Sequence, residues 1–176
     1  MSYLNKTKNE TLVLKTDGKN EVKWWIDAAF AVHPDMRSHT GAVMTMGEAG
    51  IQSISKKQKV NTRSSTEAEL VAADDALAQV IWTKKFLEAQ GIKVKSNIVY
   101  QDNKCAMLLE KNGRSSAGKR SRHLDIRYFF ITDQVNQGNM EIQYCPTDLM
   151  TADYMTKPLH GKKFMKFKKE IMNLHI

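Results

Sequence analysis

Three short apolar segments precede one long helix, and this order constrains the fold more than any other feature of the chain. The segments 22–31, 41–46 and 51–55 have the length and alternation of strands, and a proline-containing loop and a glycine-containing turn separate them. Consecutive strands with such connections are predicted to form an antiparallel meander. The first strand also carries Asp27 among apolar and aromatic residues, although strands disfavour aspartate.

The long helix follows this meander and has signals at both ends. Residues 64–69 contain two overlapping capping boxes, which end in Glu67 and Glu69. Helical spacing of apolar residues continues to about residue 90, and Gly91 is the expected stop.

The second half of the chain alternates strands with helices. Strands are predicted at 97–101 and 140–144, and helical segments at 106–110, 123–137 and 148–155. The segment 112–122 is rich in glycine, serine and basic residues, and is expected to be an exposed loop. A meander followed by strands that alternate with helices predicts an α/β domain with a five-stranded mixed sheet flanked by helices.

One domain is expected, because no linker-like stretch divides the chain. It would span residues 21–159, after an N-terminal extension at 1–20 that could be the remnant of a connection segment. Residues 160–176 form a basic amphipathic tail, whose apolar stripe is expected to pack on the domain. Its lysines are expected to face phosphate or solvent: Lys162, Lys163, Lys166, Lys168 and Lys169.

The net charge favours a polyanionic partner. Lysine and arginine number 27 against 19 aspartates and glutamates, which gives +8. Nucleic acid and an acidic membrane surface both fit this excess. No apolar run approaches the ~20 residues of a membrane span, so a membrane protein is not expected. The basic tail could form a helix on a membrane surface, but no other feature supports this, and no membrane partner is expected. The widely separated Cys105 and Cys145 indicate reduced thiols, and hence an intracellular protein.

Four carboxylates occupy positions that need an explanation. Asp27 lies inside a strand, and Asp102 ends another. On the long helix, Glu69 shares a face with small residues that could lie close against a sheet, whereas Glu67 falls on a polar border and is explained as a capping residue. Asp153 lies in the last predicted helical turns. Local explanations stay open at this point, with Asp102 as a helix N-cap and Asp153 as an exposed helical aspartate.

Such a set of carboxylates suggests a metal site. Hard divalent cations such as Mg²⁺ require oxygen ligands. Two of them about 4 Å apart can stabilise both the attacking and the leaving oxygen of a phosphoryl displacement. A basic protein with a local acidic pocket is typical of a metal-dependent nuclease, since the basic surface would hold the nucleic-acid backbone.

Five ordered segments resemble the ribonuclease H domain of copia-type LTR retrotransposons. They are residues 64–72 with 102–103, then 122–128, 144–147, 152–153 and 156–159. The resemblance covers about residues 20 to 170. It implies a ribonuclease H-like fold, in which strands 1–3 are antiparallel and strands 4 and 5 are parallel. It also implies a place at the C-terminal end of a Pol polyprotein, beside the reverse transcriptase.

The resemblance also implies an activity, which is endonucleolytic hydrolysis of the RNA strand of RNA/DNA hybrids during reverse transcription. Two Mg²⁺ or Mn²⁺ ions would activate a water and stabilise the leaving 3′ oxygen. The metal-binding catalytic carboxylates of the family correspond to Asp27, Glu69, Asp102 and Asp153. The implied partners are the hybrid and the reverse transcriptase domain, and the implied location is the cytoplasm or a virus-like particle, with the nucleus as an alternative.

Substrate contacts are expected near the start of the long helix, just after the fourth strand and in the basic loop. The candidates are Ser64, Ser65, Asn103, Lys119, Arg120 and Arg122. Together with Lys111 and Arg114, the loop residues could grip the DNA strand, and a merely solvated loop is the alternative.

Residues 145–148 contain no histidine, whereas many cellular and retroviral ribonucleases H carry a flexible histidine just before the last helix, which assists product release. The missing histidine is expected to affect the turnover rate and not the metal chemistry. His123 is interpreted as structural. A degenerate module that binds nucleic acid or braces a reverse transcriptase without cleaving is the alternative function. The presence of all four carboxylates argues against it.

Overall fold

A five-stranded mixed sheet lies at the centre of the molecule. The computed structural model describes residues 2–112 and 125–174. The strands are β1 (Glu21–Ala29), β2 (His39–Thr45), β3 (Gln52–Lys57), β4 (Ser96–Gln101) and β5 (Glu141–Tyr144). The helices are α1 (Ser2–Thr7), α2 (Ser65–Ala89), α3 (Lys104–Asn112), α4 (Asp125–Asn136), α5 (Asp153–Thr156) and α6 (Gly161–Met172), with a 3-10 turn at Thr147–Leu149.

The strands are arranged in the order β3-β2-β1-β4-β5. β2 pairs antiparallel with β1 and β3, while β4 pairs parallel with β1 and β5. The predicted mixed sheet is therefore confirmed, including the direction of each strand. β1 ends two residues earlier than predicted, and Ala31 just beyond it adopts a left-handed conformation with φ of 52°, which an extended strand cannot contain.

The core forms where α2 packs on the sheet. Trp24 of β1 and Leu70 of α2 are fully buried. Burial of each such large apolar side chain stabilises the fold by about 1.5–3 kcal/mol. The small-residue face of α2 lies inward as the sequence predicts, since Ala72, Ala76 and Val80 have no exposed surface. These small side chains allow the helix to approach the sheet closely.

Only the first of the two predicted capping boxes begins α2. The Ser64 hydroxyl accepts a hydrogen bond from the Glu67 main-chain N–H at 3.2 Å, and Glu67 accepts one from the Arg63 N–H at 2.6 Å. The second predicted box, Thr66 with Glu69, is wrong, because both residues lie inside the helix. Glu69 is buried at 6% exposure and turns toward the sheet.

The C-terminal helix α6 packs against the domain through hydrogen bonds and ion pairs as well as through the predicted apolar stripe. Phe167 is fully buried, and the Ile171 carbonyl accepts a hydrogen bond from the Gly50 N–H. Lys168 is buried in an ion pair with Glu10 at 2.6 Å. The expectation that the tail lysines all face phosphate or solvent is therefore wrong for Lys168, and also for Lys163, whose ammonium group contacts Asp153.

Two further helical segments differ from prediction. α1 was not predicted, since its six residues carry neither a capping signal nor a clear apolar stripe. The single helical segment predicted at 148–155 is divided into the 3-10 turn and α5. Among residues 2–112 and 125–174, none of the helices has the length and hydrophobicity that crossing a bilayer would require.

Candidate functional site

Three of the four predicted carboxylates meet at one edge of the sheet. β1 and β4 are parallel neighbours, so their carboxyl ends, which carry Asp27 and Asp102, lie side by side. The second turn of α2 brings Glu69 over this edge. One carboxylate oxygen from each of the three residues lies within 4.8 Å of the others.

The environment of these carboxylates disfavours negative charge. Burial raises the pKa of Glu69 well above its usual value, and the charges of Asp27 and Asp102 raise it further. Burial also raises the pKa of Asp27, against the opposing effect of Lys157. Within the described part of the chain, Glu69 Oε2 is buried and has no hydrogen-bond partner. An all-oxygen donor set with mutual repulsion and an unpaired buried oxygen fits a hard divalent cation.

Two threonine hydroxyls orient these carboxylates. Thr156 donates a short hydrogen bond to Asp27 Oδ2, and Thr147 donates one to Asp102 Oδ2 at 2.9 Å. The interpretation of Asp102 as an N-cap is wrong, because Asn103 caps α3. Its Oδ1 accepts hydrogen bonds from the main-chain N–H groups of Cys105 and Ala106. The Asp102 carboxylate is thus available to the site.

Asp153 lies beside the other three carboxylates but outside their cluster. It has no exposed surface, so the interpretation as an exposed helical aspartate is wrong. Lys157 contacts its Oδ1 at 2.5 Å, and Lys163 contacts its Oδ2 at 2.5 Å. Lys157 also lies 3.4 Å from Asp27 Oδ2. Burial alone would lower the pKa of Lys157, but the Asp27 and Asp153 carboxylates raise it overall.

Several residues at this site were not identified from the sequence. Lys157 and Thr156 belong to a segment that carries the family resemblance, but no role is predicted for either side chain from the sequence. Gln101 is fully buried, and its Oε1 accepts a hydrogen bond from the Asp102 N–H at 3.0 Å, so it fixes the chain where β4 ends. In the sequence, the position of this glutamine next to a predicted site residue is the signal for such a role.

The predicted substrate contacts stay predictions. The Ser64 hydroxyl and the Asn103 side-chain oxygen both cap helices, while Ser65 is exposed at the first residue of α2. Four of the basic loop residues and one histidine lie outside the described residues: Arg114, Lys119, Arg120, Arg122 and His123.

The sequence is similar to segments of plant retrotransposon polyproteins. The retrovirus-related Pol polyprotein from transposon TNT 1-94 of Nicotiana tabacum is 35% identical over 155 residues, which is 88% of this chain and 11% of the relative. The corresponding polyprotein from transposon RE1 of Arabidopsis thaliana is 32% identical over 173 residues, or 97% of this chain and 12% of the relative. The chain thus spans about a tenth of the length of these relatives. No protein-family model matches it.

Solved structures with the same fold are ribonucleases H. LC11-RNase H1, isolated from compost by a metagenomic approach, superposes with a TM-score of 0.55 at 15% identity, over 77% of this chain and 92% of that one. The same protein in complex with an RNA/DNA hybrid gives a TM-score of 0.55 at 13% identity, over 77% and 93% of the two chains. At such low identity the likeness establishes the fold.

Proposed function

Because this chain is homologous to the Pol polyproteins of copia-type retrotransposons and has a ribonuclease H-like fold, we propose that it hydrolyses the RNA strand of RNA/DNA hybrids with the aid of two divalent cations. The observation that carries the proposal is the convergence of Asp27, Glu69 and Asp102 within 4.8 Å of one another. These are three of the four carboxylates that the family resemblance assigns to catalysis.

The carboxylates would hold two Mg²⁺ or Mn²⁺ ions, which supply an activated water for in-line attack on the scissile phosphodiester and neutralise charge on the leaving 3′ oxygen. Asp27 and Glu69 contribute buried oxygens, and Asp102 contributes a more exposed one. The hydroxyls of Thr156 and Thr147 restrict the rotation of Asp27 and Asp102. The protein therefore contributes positioning and charge neutralisation more than covalent chemistry.

The proposed partners follow from the substrate and from the relatives. A net charge of +8 favours binding to the polyanionic hybrid. The sequence corresponds to about a tenth of a Pol polyprotein, so the reverse transcriptase domain of the same polyprotein is the proposed protein partner. The proposed location is the cytoplasm, within a virus-like particle if the chain acts as part of a retroelement.

The decisive experiment is cleavage of a labelled RNA/DNA hybrid. We expect cleavage with Mg²⁺ or Mn²⁺ that stops on chelation, and no cleavage of single-stranded or double-stranded RNA. Asp102→Asn should reduce the rate by at least ~100-fold, because changes even to outer partners of metal ligands cost 10–100-fold. Asp148→Asn is the matched control, since Asp148 is an exposed aspartate near the same edge, and should cleave like the wild type.

Two results would refute the proposal. Full activity of Asp102→Asn would remove Asp102 from the metal site. Tight binding of the hybrid by the wild type without any cleavage, at every metal concentration, would favour the non-cleaving module instead.

A further inference from the structure

The ammonium group of Lys157 occupies the space between two of the proposed metal ligands. It lies 2.5 Å from Asp153 Oδ1, and 3.4 and 3.5 Å from the two oxygens of Asp27. A cation shared by Asp27 and Asp153 would contact the same oxygens. The ammonium group of Lys157 therefore lies where a bound cation would neutralise Asp27 and Asp153.

Both carboxylates require such a charge. Asp27 and Asp153 are 1% and 0% exposed, and two neighbouring buried anions are strongly unfavourable without a compensating cation. Lys163 supplies the second positive charge, at 2.5 Å from Asp153 Oδ2. Both oxygens of Asp153 are thus bound by ammonium groups, and Asp153 is separated from the cluster of Asp27, Glu69 and Asp102.

The two lysines reach these buried carboxylates from the surface. Their side chains are 38% and 36% exposed, although the aspartates that they contact are buried. Each long side chain can therefore withdraw its ammonium group into water without burying an unpaired charge. Lys157 also directly follows the last residue of α5, and its backbone is extended with φ of −126°.

We propose that Lys157 is a tethered cation, which holds Asp27 and Asp153 together when no divalent ion is bound and which a divalent ion must displace in order to bind both carboxylates. The inference rests on the proposed metal-dependent function and adds a positioning residue to it. Lys163 assists by neutralising the outer oxygen of Asp153. Once displaced, the ammonium groups stay tethered next to the site, where a nucleic-acid phosphate would lie.

The proposal predicts competition between the lysine and the metal. A positive charge about 4 Å from a divalent ion opposes its binding even in water, so removal of the charge in Lys157→Gln should tighten Mn²⁺ binding about tenfold or more at low salt. A lysine that only stabilises the fold would give an unchanged or weaker affinity on removal. The direction of the change therefore separates the two roles.

Calorimetric titration with Mn²⁺ on the full chain tests the proposal without any measurement of activity. The wild type, Lys157→Gln, the charge-retaining Lys157→Arg and the control Lys84→Gln are compared. Lys84 donates a hydrogen bond to the Gly138 carbonyl, far from the carboxylates, so its variant loses one charge and one hydrogen bond elsewhere. We expect tighter binding for Lys157→Gln alone.

Thermal unfolding provides a second readout. With chelator, Lys157→Gln should unfold at a lower temperature than the wild type, and saturating Mn²⁺ should raise its Tm by more than it raises that of the wild type. If Lys157→Gln does not fold, Lys163→Gln tests the same competition, with a smaller gain expected because it contacts only Asp153.

Failure of this inference and failure of the proposed function give different combinations of results. If the wild type binds Mn²⁺ and cleaves the hybrid while the affinity of Lys157→Gln is unchanged or weaker, the inference is overturned and the function stands. If neither protein binds Mn²⁺, both are overturned. Tighter binding by Lys157→Gln without hybrid cleavage by the wild type supports the tethered cation and contradicts the nuclease.

Discussion

The contact between β2 and α5 leads to a prediction about Gly41. Gly41 is the antiparallel partner of Asp27, so it lies beside the site in the sheet. A Cβ at this position would lie 2.5 Å from Thr156 Cγ2, 2.9 Å from Met155 Cβ and 3.0 Å from the Ala152 carbonyl oxygen. The absence of a side chain at Gly41 therefore allows α5 to rest directly on β2.

Gly41→Ala should displace α5. Carbon atoms pack at about 3.5–4.0 Å, so the contact with Thr156 requires a movement of about 1 Å. Two of the three obstructing atoms are a Cβ and a main-chain oxygen, which move only with the helix. Overpacking of this kind costs about 1–3 kcal/mol of the free energy of unfolding. A displacement of about 1 Å at a catalytic site can also reduce the rate about 100-fold.

Denaturant unfolding and hybrid cleavage measure these two effects. Gly50→Ala is the matched control, because its Cβ would first meet Cγ2 of the Ile171 side chain at 3.2 Å, where a shift of a few tenths of an ångström relieves the contact. We expect Gly41→Ala to lose both stability and cleavage, and Gly50→Ala to keep most of both. Wild-type stability of Gly41→Ala would refute the packing argument, and a stability loss with undiminished cleavage would refute the link between α5 and the site.

Two further predictions concern stability alone. Burial raises the pKa of the fully buried Glu110 to about 7 from 4.5, so between these pH values the folded chain keeps a proton that the unfolded chain releases. The stability present below about pH 4.5 is therefore lost as pH rises through about 7. The free energy of unfolding falls by at most about 3 kcal/mol over this range. Glu110→Gln should reduce this loss of stability with rising pH, and the loss that remains, which has the same sign, is due to Glu69. Urea unfolding at about pH 5 and about pH 8 measures the loss in both proteins. An equal loss in the wild type and in Glu110→Gln would contradict the prediction. Ser64→Ala should destabilise the protein by ~1 kcal/mol through loss of the α2 cap, whereas Ser65→Ala should have little effect in the same assay. A Ser64→Ala cost no greater than that of Ser65→Ala would show that the cap is unimportant.

The sheet was predictable from the sequence because the strands and the connections between them are encoded by short, continuous segments of the chain. Short connections require antiparallel neighbours, and crossover helices require parallel ones, so the order of elements determines the directions of the strands. The choice of Glu69 over Glu67 was equally local, since helix geometry separates them by about 200° at 100° per residue. One faces the sheet, and the other caps the helix.

Contacts between distant parts of the chain were harder to predict from the sequence. The ion pair of Lys157 with Asp27 joins residues 130 positions apart, and it depends on the path of the chain through α5. Amphipathic spacing placed the tail lysines on a polar face, but the ion pair of Lys168 with Glu10 shows that such a face can be covered by another segment. A polar stripe predicts that this face of a helix points away from the apolar core. It does not predict whether the face contacts water or an acidic side chain.

The distribution of charge connects the fold with both proposals. The net charge of +8 suggested a surplus of basic side chains for nucleic acid, yet Lys157 and Lys163 are directed at Asp27 and Asp153. When the four site carboxylates are ionised, these two ammonium groups leave two negative charges uncompensated, whereas two divalent cations would balance all four. If metal loading displaces both lysines, it turns an acidic pocket into a neutral one and adds two cations at its rim. The basic charge available to the hybrid would then depend on metal binding, because the same lysines cannot bind carboxylate and phosphate at once.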